Sequence, residues 1–130
     1  MNLNQVTLPA ANVARSIAFF EAMGFRLIVD ARPRYARFEC PTGDATFSLH
    51  EATPHAESGV VVYFECEQLD TQVAQLVAIG FVFDQAPTDK SWLWREARLR
   101  DPSGNVICLF HAGTNRKNPP WRVSSATAAP

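Results

Sequence analysis

The sequence predicts an α+β fold built from two βαβββ modules, and two observations carry this prediction. The first is an internal repeat: residues 6–25 and residues 62–81 both pass from a strand-like segment into an amphipathic helix, and they align without a gap. The second is that each copy ends in a proline-glycine turn followed by an apolar strand. Repetition of one supersecondary unit is typical of units that pack together to bury apolar surface.

The helix of each copy is predicted from apolar residues that recur at i, i+4 and i+7, the spacing of one buried helical face. Asn12 stands at the N-cap of the first helix, where its side-chain oxygen can accept a backbone N–H, whereas Gln68 at the equivalent position is a poor cap. Gly24 and Gly80 end the helices, because glycine adopts the left-handed conformation without strain. The apolar stripes are Val13, Ile17 and Phe20, and Leu69, Val73 and Leu76.

Three further strands are expected in each copy. One follows the helix directly, and the next lies in a segment of loosely alternating apolar and polar residues. The last follows the turn, because proline followed two residues later by glycine is typical of a hairpin connection. The predicted strands are 26–30, 34–40 and 45–50 in the first copy and 81–84, 92–100 and 106–111 in the second.

The 130 residues suit one compact domain, and 47% hydrophobic residues are enough to bury a core. We expect a single domain at residues 1–112, made of modules at about 1–53 and 58–112. The composition changes after that point. Asn118-Pro119-Pro120-Trp121 predicts an extended C-terminal tail over residues 113–130, with Trp121 anchoring it to a surface.

Charge and residue composition exclude several classes of protein. A net charge of −1, from 12 basic and 13 acidic residues, lacks the basic excess that phosphate binding requires, so nucleic acid is not an expected partner. No apolar run approaches the ~20 residues of a bilayer span, and the N-terminus lacks the pattern of a signal peptide. Three widely spaced cysteines argue against a disulfide framework and favour a cytoplasmic protein.

Two segments carry a resemblance to a known family: LPAANVARSIAFFEAMGF at residues 8–25 and DPSGNVI at residues 101–107. Together with the paired modules, they resemble the vicinal oxygen chelate superfamily, which includes glyoxalase I, extradiol dioxygenases, and fosfomycin and bleomycin resistance proteins. The resemblance covers about residues 1–112. It implies a strongly curved sheet in each module, a cavity enclosed by the two modules, and a homodimer.

For the metal-dependent relatives, the resemblance implies a divalent cation held by side chains from the first and last strands of each module. The first-strand positions fall on Gln5 and Val61, and the last-strand positions fall on Ser48 and Cys108. Valine cannot bind a metal, neutral serine binds poorly, and a cysteine thiolate suits soft metals. We therefore expect no cofactor, and leave open a divalent metal on an altered ligand set of Gln5, His50 and Cys108.

Strand alternation predicts which side chains face the cavity, because successive residues of a strand point to opposite faces. The result is an apolar, aromatic wall with a few polar groups, which is typical of small-molecule sites. Arg98 can bind an anionic group of a ligand, or it can pair internally with Glu96, Glu39 or Asp101. The predicted ligand-binding residues are Gln5, Ser48, His50, Tyr63, Trp94, Glu96, Arg98, Cys108 and Phe110.

The sequence therefore favours a protein that binds a small organic molecule in the cavity without the standard metal site of the superfamily. The alternative is a metal-dependent lyase or dioxygenase that uses the altered ligand set. A third reading is a metal-free enzyme in which His50 or Glu96 acts as a general base near Arg98. No catalytic residue is assigned, and whether any reaction is catalysed is left open.

Overall fold

The computed structural model describes residues 1–53 and 59–123. Within these residues the chain forms eight strands, two α-helices and one short 3₁₀ helix. In chain order the first module contains β1 (Gln5–Ala10), α1 (Val13–Met23), β2 (Arg26–Ala31), β3 (Tyr35–Glu39) and β4 (Thr46–Glu51). The second contains β5 (Val61–Glu65), α2 (Leu69–Ala78), β6 (Gln85–Asp89), β7 (Arg95–Arg100) and β8 (Val106–His111).

The strands form two open four-stranded sheets of the same topology, in the orders β1-β4-β3-β2 and β5-β8-β7-β6. In the first sheet β1 pairs with β4 in parallel, and β4, β3 and β2 pair antiparallel, so this sheet is mixed. The predicted α+β fold with two βαβββ modules is confirmed.

Helix α1 packs on the first sheet through a cluster of phenylalanine rings. The ring of Phe20 lies 4.9 Å from that of Phe47 on β4 and 5.7 Å from that of Phe38 on β3. Asn12 caps the helix as predicted, since its Oδ1 accepts the backbone N–H of Arg15 at 3.0 Å. The predicted apolar stripes of both helices are buried.

The strand that follows α2 is not at residues 81–84, as the repeat suggested, but at Gln85–Asp89. This strand carries Pro87 and lies at the edge of its sheet, with a register shift between Gln85 and Thr88. Proline cannot donate to a strand ladder, so it is confined to edge strands and bulges. The second module therefore uses a longer connection after its helix than the first, which the aligned repeat could not indicate.

The turn between β7 and β8 is built around the carboxylate of Asp101, which is only 5% exposed. Its Oδ1 accepts the backbone N–H groups of Ser103 at 3.0 Å and Asn105 at 2.8 Å, and its Oδ2 accepts from Asn105 Nδ2 at 2.7 Å. Asn105 Nδ2 also donates to the carbonyl of Pro9 at 2.9 Å, and Ser103 Oγ accepts from Ala11 N at 3.0 Å. The DPSGN segment thus holds the junction between β1 and α1.

The chain divides into two compact units that follow these contacts. One unit contains Met1–Val61 together with Arg100–Val106, and the other contains Val62–Leu99 together with Ile107–Pro130. The turn around Asp101 therefore belongs to the first unit, although its flanking strands lie mainly in the second. The domain boundaries predicted from the sequence stay a prediction.

The predicted extended tail begins as a 3₁₀ helix at Gly113–Arg116. Glu65 explains this start, because its Oε2 accepts the backbone N–H groups of Ala112 at 2.8 Å and Gly113 at 2.9 Å. No regular element follows up to residue 123, and the side chain of Trp121 is exposed. Residues 124–130 lie outside the described part of the chain. No helix in the described part is long and apolar enough to span a membrane.

Candidate functional site

One face of the first sheet carries a group of neighbouring polar side chains. Strand register places Thr7, Ser48 and Arg37 side by side across β1, β4 and β3. Two residues further along β3 and β4, on the same face, Tyr35 lies beside His50. Phe38 and Phe47 point to the other face, where α1 packs, so these polar residues face away from the helix.

Ser48 is the centre of a hydrogen-bond network on this face. It is fully buried, at 0% exposure, and its Oγ accepts from Gln5 Nε2 at 2.8 Å and bonds Thr7 Oγ1 at 2.8 Å. The other end of the Gln5 amide is also engaged, because its Oε1 accepts the hydroxyl of Thr46. The buried Ser48 hydroxyl is therefore satisfied by two side chains of β1.

Tyr35 and Arg37 form a pair on β3 beside this network. Arg37 Nε donates to the Tyr35 hydroxyl oxygen at 2.9 Å, and the guanidinium carbon lies 5.5 Å from the centroid of the Tyr35 ring. The hydrogen bond from Ser48, and secondarily that from Arg37, hold the pKa of Tyr35 below its usual value, against the opposing effect of burial. Charge and donors therefore converge on the phenol oxygen.

The second sheet carries a cluster of three aromatic rings. Trp94 and Phe110 stack with a centroid distance of 4.6 Å and an interplanar angle of 18°. Tyr63 stands perpendicular to both, 5.9 Å from Trp94 and 5.6 Å from Phe110. Phe110 is buried whereas Tyr63 is 43% exposed, so the cluster reaches the surface at Tyr63. We call Tyr63, Trp94 and Phe110 the aromatic cluster.

A buried carboxylate lies beside the aromatic cluster. Glu96 is 2% exposed, and its Oε2 accepts from Trp92 Nε1 at 2.7 Å. Its Oε1 lies 3.4 Å from Arg98 Nη2, which is also 3.4 Å from the hydroxyl of Tyr63. Of the partners expected for Arg98, the structure selects Glu96, so the charge of this arginine is balanced internally.

Cys108 is fully buried next to this pair. Burial, and secondarily the negative charge of Glu96, raise the pKa of Cys108 to about 12. The thiol is therefore protonated at neutral pH, whereas the thiolate is the form that acts as nucleophile or metal ligand. Cys40 and Cys66 are half-buried, and burial raises the pKa of both thiols as well.

Two of the three side chains considered for a divalent cation are held in other states by the protein itself. The Gln5 amide is engaged by Ser48 and Thr46, Ser48 is neutral, and the Cys108 thiol is protonated. Across residues 1–53 and 59–123, no three or more His, Cys, Asp and Glu side chains lie close enough to hold a metal ion.

The sequence-predicted residues therefore fall into two groups. In the first unit Gln5 and Ser48 are in direct contact, and His50 lies exposed on the same face. In the second unit the remaining predicted residues are brought together: Tyr63, Trp94, Glu96, Arg98, Cys108 and Phe110.

Five polar or aromatic residues of these groups were not predicted as site residues: Thr7, Tyr35, Arg37, Thr46 and Trp92. Alternation in the segment 35–39 places Tyr35 and Arg37 on the face of Ser48, so this signal was present in the sequence. The bond from Trp92 to Glu96 has no comparable signal, because Trp92 precedes the strand β7.

Comparison with known proteins agrees with the fold described above. The family model of the Glyoxalase/Bleomycin resistance protein/Dioxygenase superfamily matches residues 2–109. The chain belongs to this superfamily. Among curated proteins, none matches the sequence of this superfamily member.

Several solved structures share the fold of this glyoxalase-superfamily chain at low identity. A glyoxalase/bleomycin resistance protein/dioxygenase from Nocardioides is 20% identical, with a TM-score of 0.77, over 95% of this chain and 90% of the other. Lactoylglutathione lyase from Agrobacterium tumefaciens is 14% identical, with a TM-score of 0.71, over 85% and 92%. A bleomycin-binding protein complexed with bleomycin is 20% identical, with a TM-score of 0.70, over 85% and 98%.

Proposed function

We propose that this protein binds a small organic molecule at the aromatic cluster of its second sheet, and that it does so without the standard metal site of the superfamily. The observation that carries the proposal is the cluster itself: three rings meet beside a buried carboxylate and a half-exposed guanidinium. Apolar walls with a few fixed polar groups are what small-molecule sites usually offer.

The chemistry of the cluster favours a ligand with a flat, apolar part. Aromatic rings prefer stacked or edge-to-face contacts, and each such contact contributes about 0.5–1.5 kcal/mol beyond the burial of area. Tyr63 and Arg98 add a hydroxyl and N–H donors at the exposed rim of the cluster. The bleomycin-binding neighbour, which holds an organic molecule on the same fold, supports this class of ligand.

The alternative is a metal-dependent lyase or dioxygenase with the ligand set Gln5, His50 and Cys108. It would require the buried thiol of Cys108 to lose its proton and the Gln5 amide to leave its partners. Melting EDTA-stripped protein with Zn²⁺, Mn²⁺, Ni²⁺, Co²⁺ and Fe²⁺ separates the two readings. A rise in Tm that is lost in Gln5→Ala or His50→Ala would favour the metalloenzyme.

Substitution at Trp94 tests the proposed site. The probes are indole and quinoline, titrated against purified protein and followed by ligand-observed saturation-transfer NMR. Trp94→Leu removes the stacked partner of Phe110, and we expect affinity for these probes to fall about tenfold, equivalent to ~1.4 kcal/mol. Trp121→Leu is the matched control, because Trp121 is exposed and outside the cluster.

Two outcomes would contradict the proposal. One is that neither probe binds the wild-type protein at millimolar concentration. The other is that Trp94→Leu, with an unchanged circular dichroism spectrum, binds both probes as well as Trp121→Leu does.

Assembly and compartment are part of the same proposal. We infer a homodimer from the likeness to the superfamily. Sedimentation equilibrium should then give a molar mass of twice the 14.4 kDa of the chain. Three free cysteines fit a reducing compartment, where thiols stay unpaired. Nucleic acid is not an expected partner, because the net charge is −1.

A further inference from the structure

Arg37 differs from the other half-buried arginines of the described chain. The half-buried arginines of the described residues are Arg37, Arg95 and Arg98. Arg95 pairs with Asp70 and Asp89, and Arg98 pairs with Glu96. Arg37 has no carboxylate partner among the described residues, and partly buried charge is costly unless it is paired.

Tyr35 fixes Arg37 without neutralising it. The phenol oxygen accepts the Nε–H of Arg37 at 2.9 Å, and the guanidinium lies over the Tyr35 ring. These contacts use one of the five N–H groups of the guanidinium. The groups on Nη1 and Nη2 have no acceptor among the described residues, and neither atom is a fully buried unpaired one. Both atoms are therefore in contact with solvent.

The second module shows what an internal partner would look like. Arg98 stands 61 residues after Arg37, and Glu96 stands 61 residues after Tyr35, on the corresponding strands β7 and β3. The second module thus places a carboxylate at the position where the first module places a phenol. The internal anion that balances Arg98 is missing beside Arg37.

The surrounding charges do not fill this role. Glu39 lies two residues along the same strand face, but its carboxylate pairs with Arg26 at 3.7 Å. The register partner of Arg37 is the neutral Ser48, and that of Tyr35 is His50, which adds no negative charge. The positive charge of Arg37 is thus locally uncompensated.

We propose that Arg37 and Tyr35 form a binding site for a small oxyanion, a carboxylate or a phosphate group. The Nη1 and Nη2 groups would donate a two-pronged pair of hydrogen bonds, the geometry in which arginine binds both kinds of anion. The hydroxyl proton of Tyr35 is available as a third donor, because its oxygen already accepts from Arg37. The site lies in the first unit and does not depend on the aromatic cluster.

The test follows the arginine side chain directly. The ¹H–¹⁵N signals of the arginine Nε–H groups are recorded while sodium acetate or inorganic phosphate is added, with sodium chloride adjusted to constant ionic strength. Arg37→Gln identifies the signal of Arg37 by its disappearance. We expect that signal to shift and to saturate. The anion that saturates at lower concentration distinguishes a carboxylate ligand from a phosphate ligand.

Two variants and a control sharpen this experiment. Tyr35→Glu copies the second module and supplies an internal carboxylate, so the saturable shift of the Arg37 signal should be lost although the arginine is still present. Tyr35→Phe keeps the ring and removes the hydroxyl, so saturation should need severalfold more anion. Arg95→Gln is the control, because Arg95 is half-buried but paired, and it should leave the titration unchanged.

The proposal is overturned if the Arg37 signal moves only linearly, or equally with sodium chloride alone. It is also overturned if Tyr35→Glu titrates like the wild-type protein. Both results are read from the wild type or from a variant that keeps Arg37, so misfolding of Arg37→Gln cannot hide them. Binding of indole or quinoline at the aromatic cluster is measured separately and can fail or succeed independently.

Discussion

At the scale of the residue, equivalent positions of the two modules have different chemistry. Ser48 on β4 is buried within hydrogen bonds from Gln5 and Thr7. Cys108 on β8 is buried beside Glu96 and Arg98, with a pKa raised to about 12. Ser48 is therefore a buried hydroxyl whose hydrogen bonds are made within the protein, and Cys108 is an unreactive thiol. Neither offers the anionic oxygen that a divalent metal prefers.

The raised pKa of Cys108 predicts a specific loss of stability at alkaline pH. Since the folded-state pKa lies above the ordinary thiol value of 9.0, the contribution of Cys108 is complete below pH 9 and is lost as pH rises towards 12. The free energy of unfolding should therefore fall more steeply in wild type than in Cys108→Ala, by up to ~1.4 kcal/mol for each pH unit.

The measurement is urea unfolding of both proteins at intervals between pH 8 and pH 10.5. Cys108→Ala will be less stable at pH 8 because it leaves a small cavity, so the slope with pH is compared and not the absolute value. Parallel curves for the two proteins would show that Cys108 does not titrate above its ordinary range.

The residue scale also shows how far the sequence could predict the site. Alternation placed Glu96 and Arg98 on one face with Cys108, because the strand period of two is a backbone property, and these three side chains lie together in the structure. The same rule covers Tyr35 and Arg37, which were not predicted. The choice between Glu96, Glu39 and Asp101 as partner of Arg98 depends on side-chain positions that no local pattern encodes.

At the scale of the element, the two helices differ in their N-caps. Asn12 bonds the backbone N–H of Arg15, whereas Gln68 makes no side-chain cap bond. A longer side chain must lose more rotamer freedom to reach the same donor, which is why glutamine caps poorly. Helix α2 therefore leaves a stabilising contact unused.

Gln68→Asn should stabilise the protein by roughly 0.5–1 kcal/mol, because asparagine can bond a free N–H of the first turn of α2. Asn12→Ala should destabilise it by about 1 kcal/mol for the opposite reason. Gln68→Ala is the control and should change little, since no cap bond is lost. Chemical denaturation at pH 7 measures all three variants.

Equal stability of Gln68→Asn and Gln68→Ala would contradict this account of α2. In that case the backbone at residue 68, with φ −110° and ψ 62°, would not allow a cap bond for any side chain.

The elements themselves were predictable where local chemistry and periodicity agree. Both helices, the strands that follow the two turns and the order of these elements along the chain follow from the apolar stripes, the glycine ends and the repeat. Strand β6 was misplaced because the repeat breaks after Phe81, and a segment with Pro87 has no strong strand pattern. The 3₁₀ helix at Gly113–Arg116 was missed because it depends on Glu65, 48 residues earlier.

At the scale of the whole molecule, the chain passes between its two units three times: after Val61, after Leu99 and after Val106. The short return segment Arg100–Val106 carries the turn around Asp101, whose hydrogen bonds reach Pro9 and Ala11. Strands β7 and β8, which flank it, continue into the second unit. Because the return segment of the first unit is continuous with two strands of the second, we expect both units to unfold together.

Asp101→Ala tests this coupling. It removes the acceptor of two backbone N–H groups and of the Asn105 amide in a buried turn, and unsatisfied buried donors cost about 1–3 kcal/mol. We expect a loss of roughly 2–3 kcal/mol. Asp44→Ala is the control: Asp44 is exposed in the corresponding turn of the first module, and exposed substitutions typically change stability by less than about 0.5 kcal/mol.

The decisive comparison uses one probe for each unit. Fluorescence of Trp92 and Trp94 reports on the second unit, and hydrogen exchange at Ile17 and Phe20 reports on helix α1 of the first. Although the hydrogen bonds removed by Asp101→Ala all lie in the first unit, cooperative unfolding requires that both probes lose the same free energy. Reduced protection of α1 with an unchanged fluorescence midpoint would show instead that the units unfold independently.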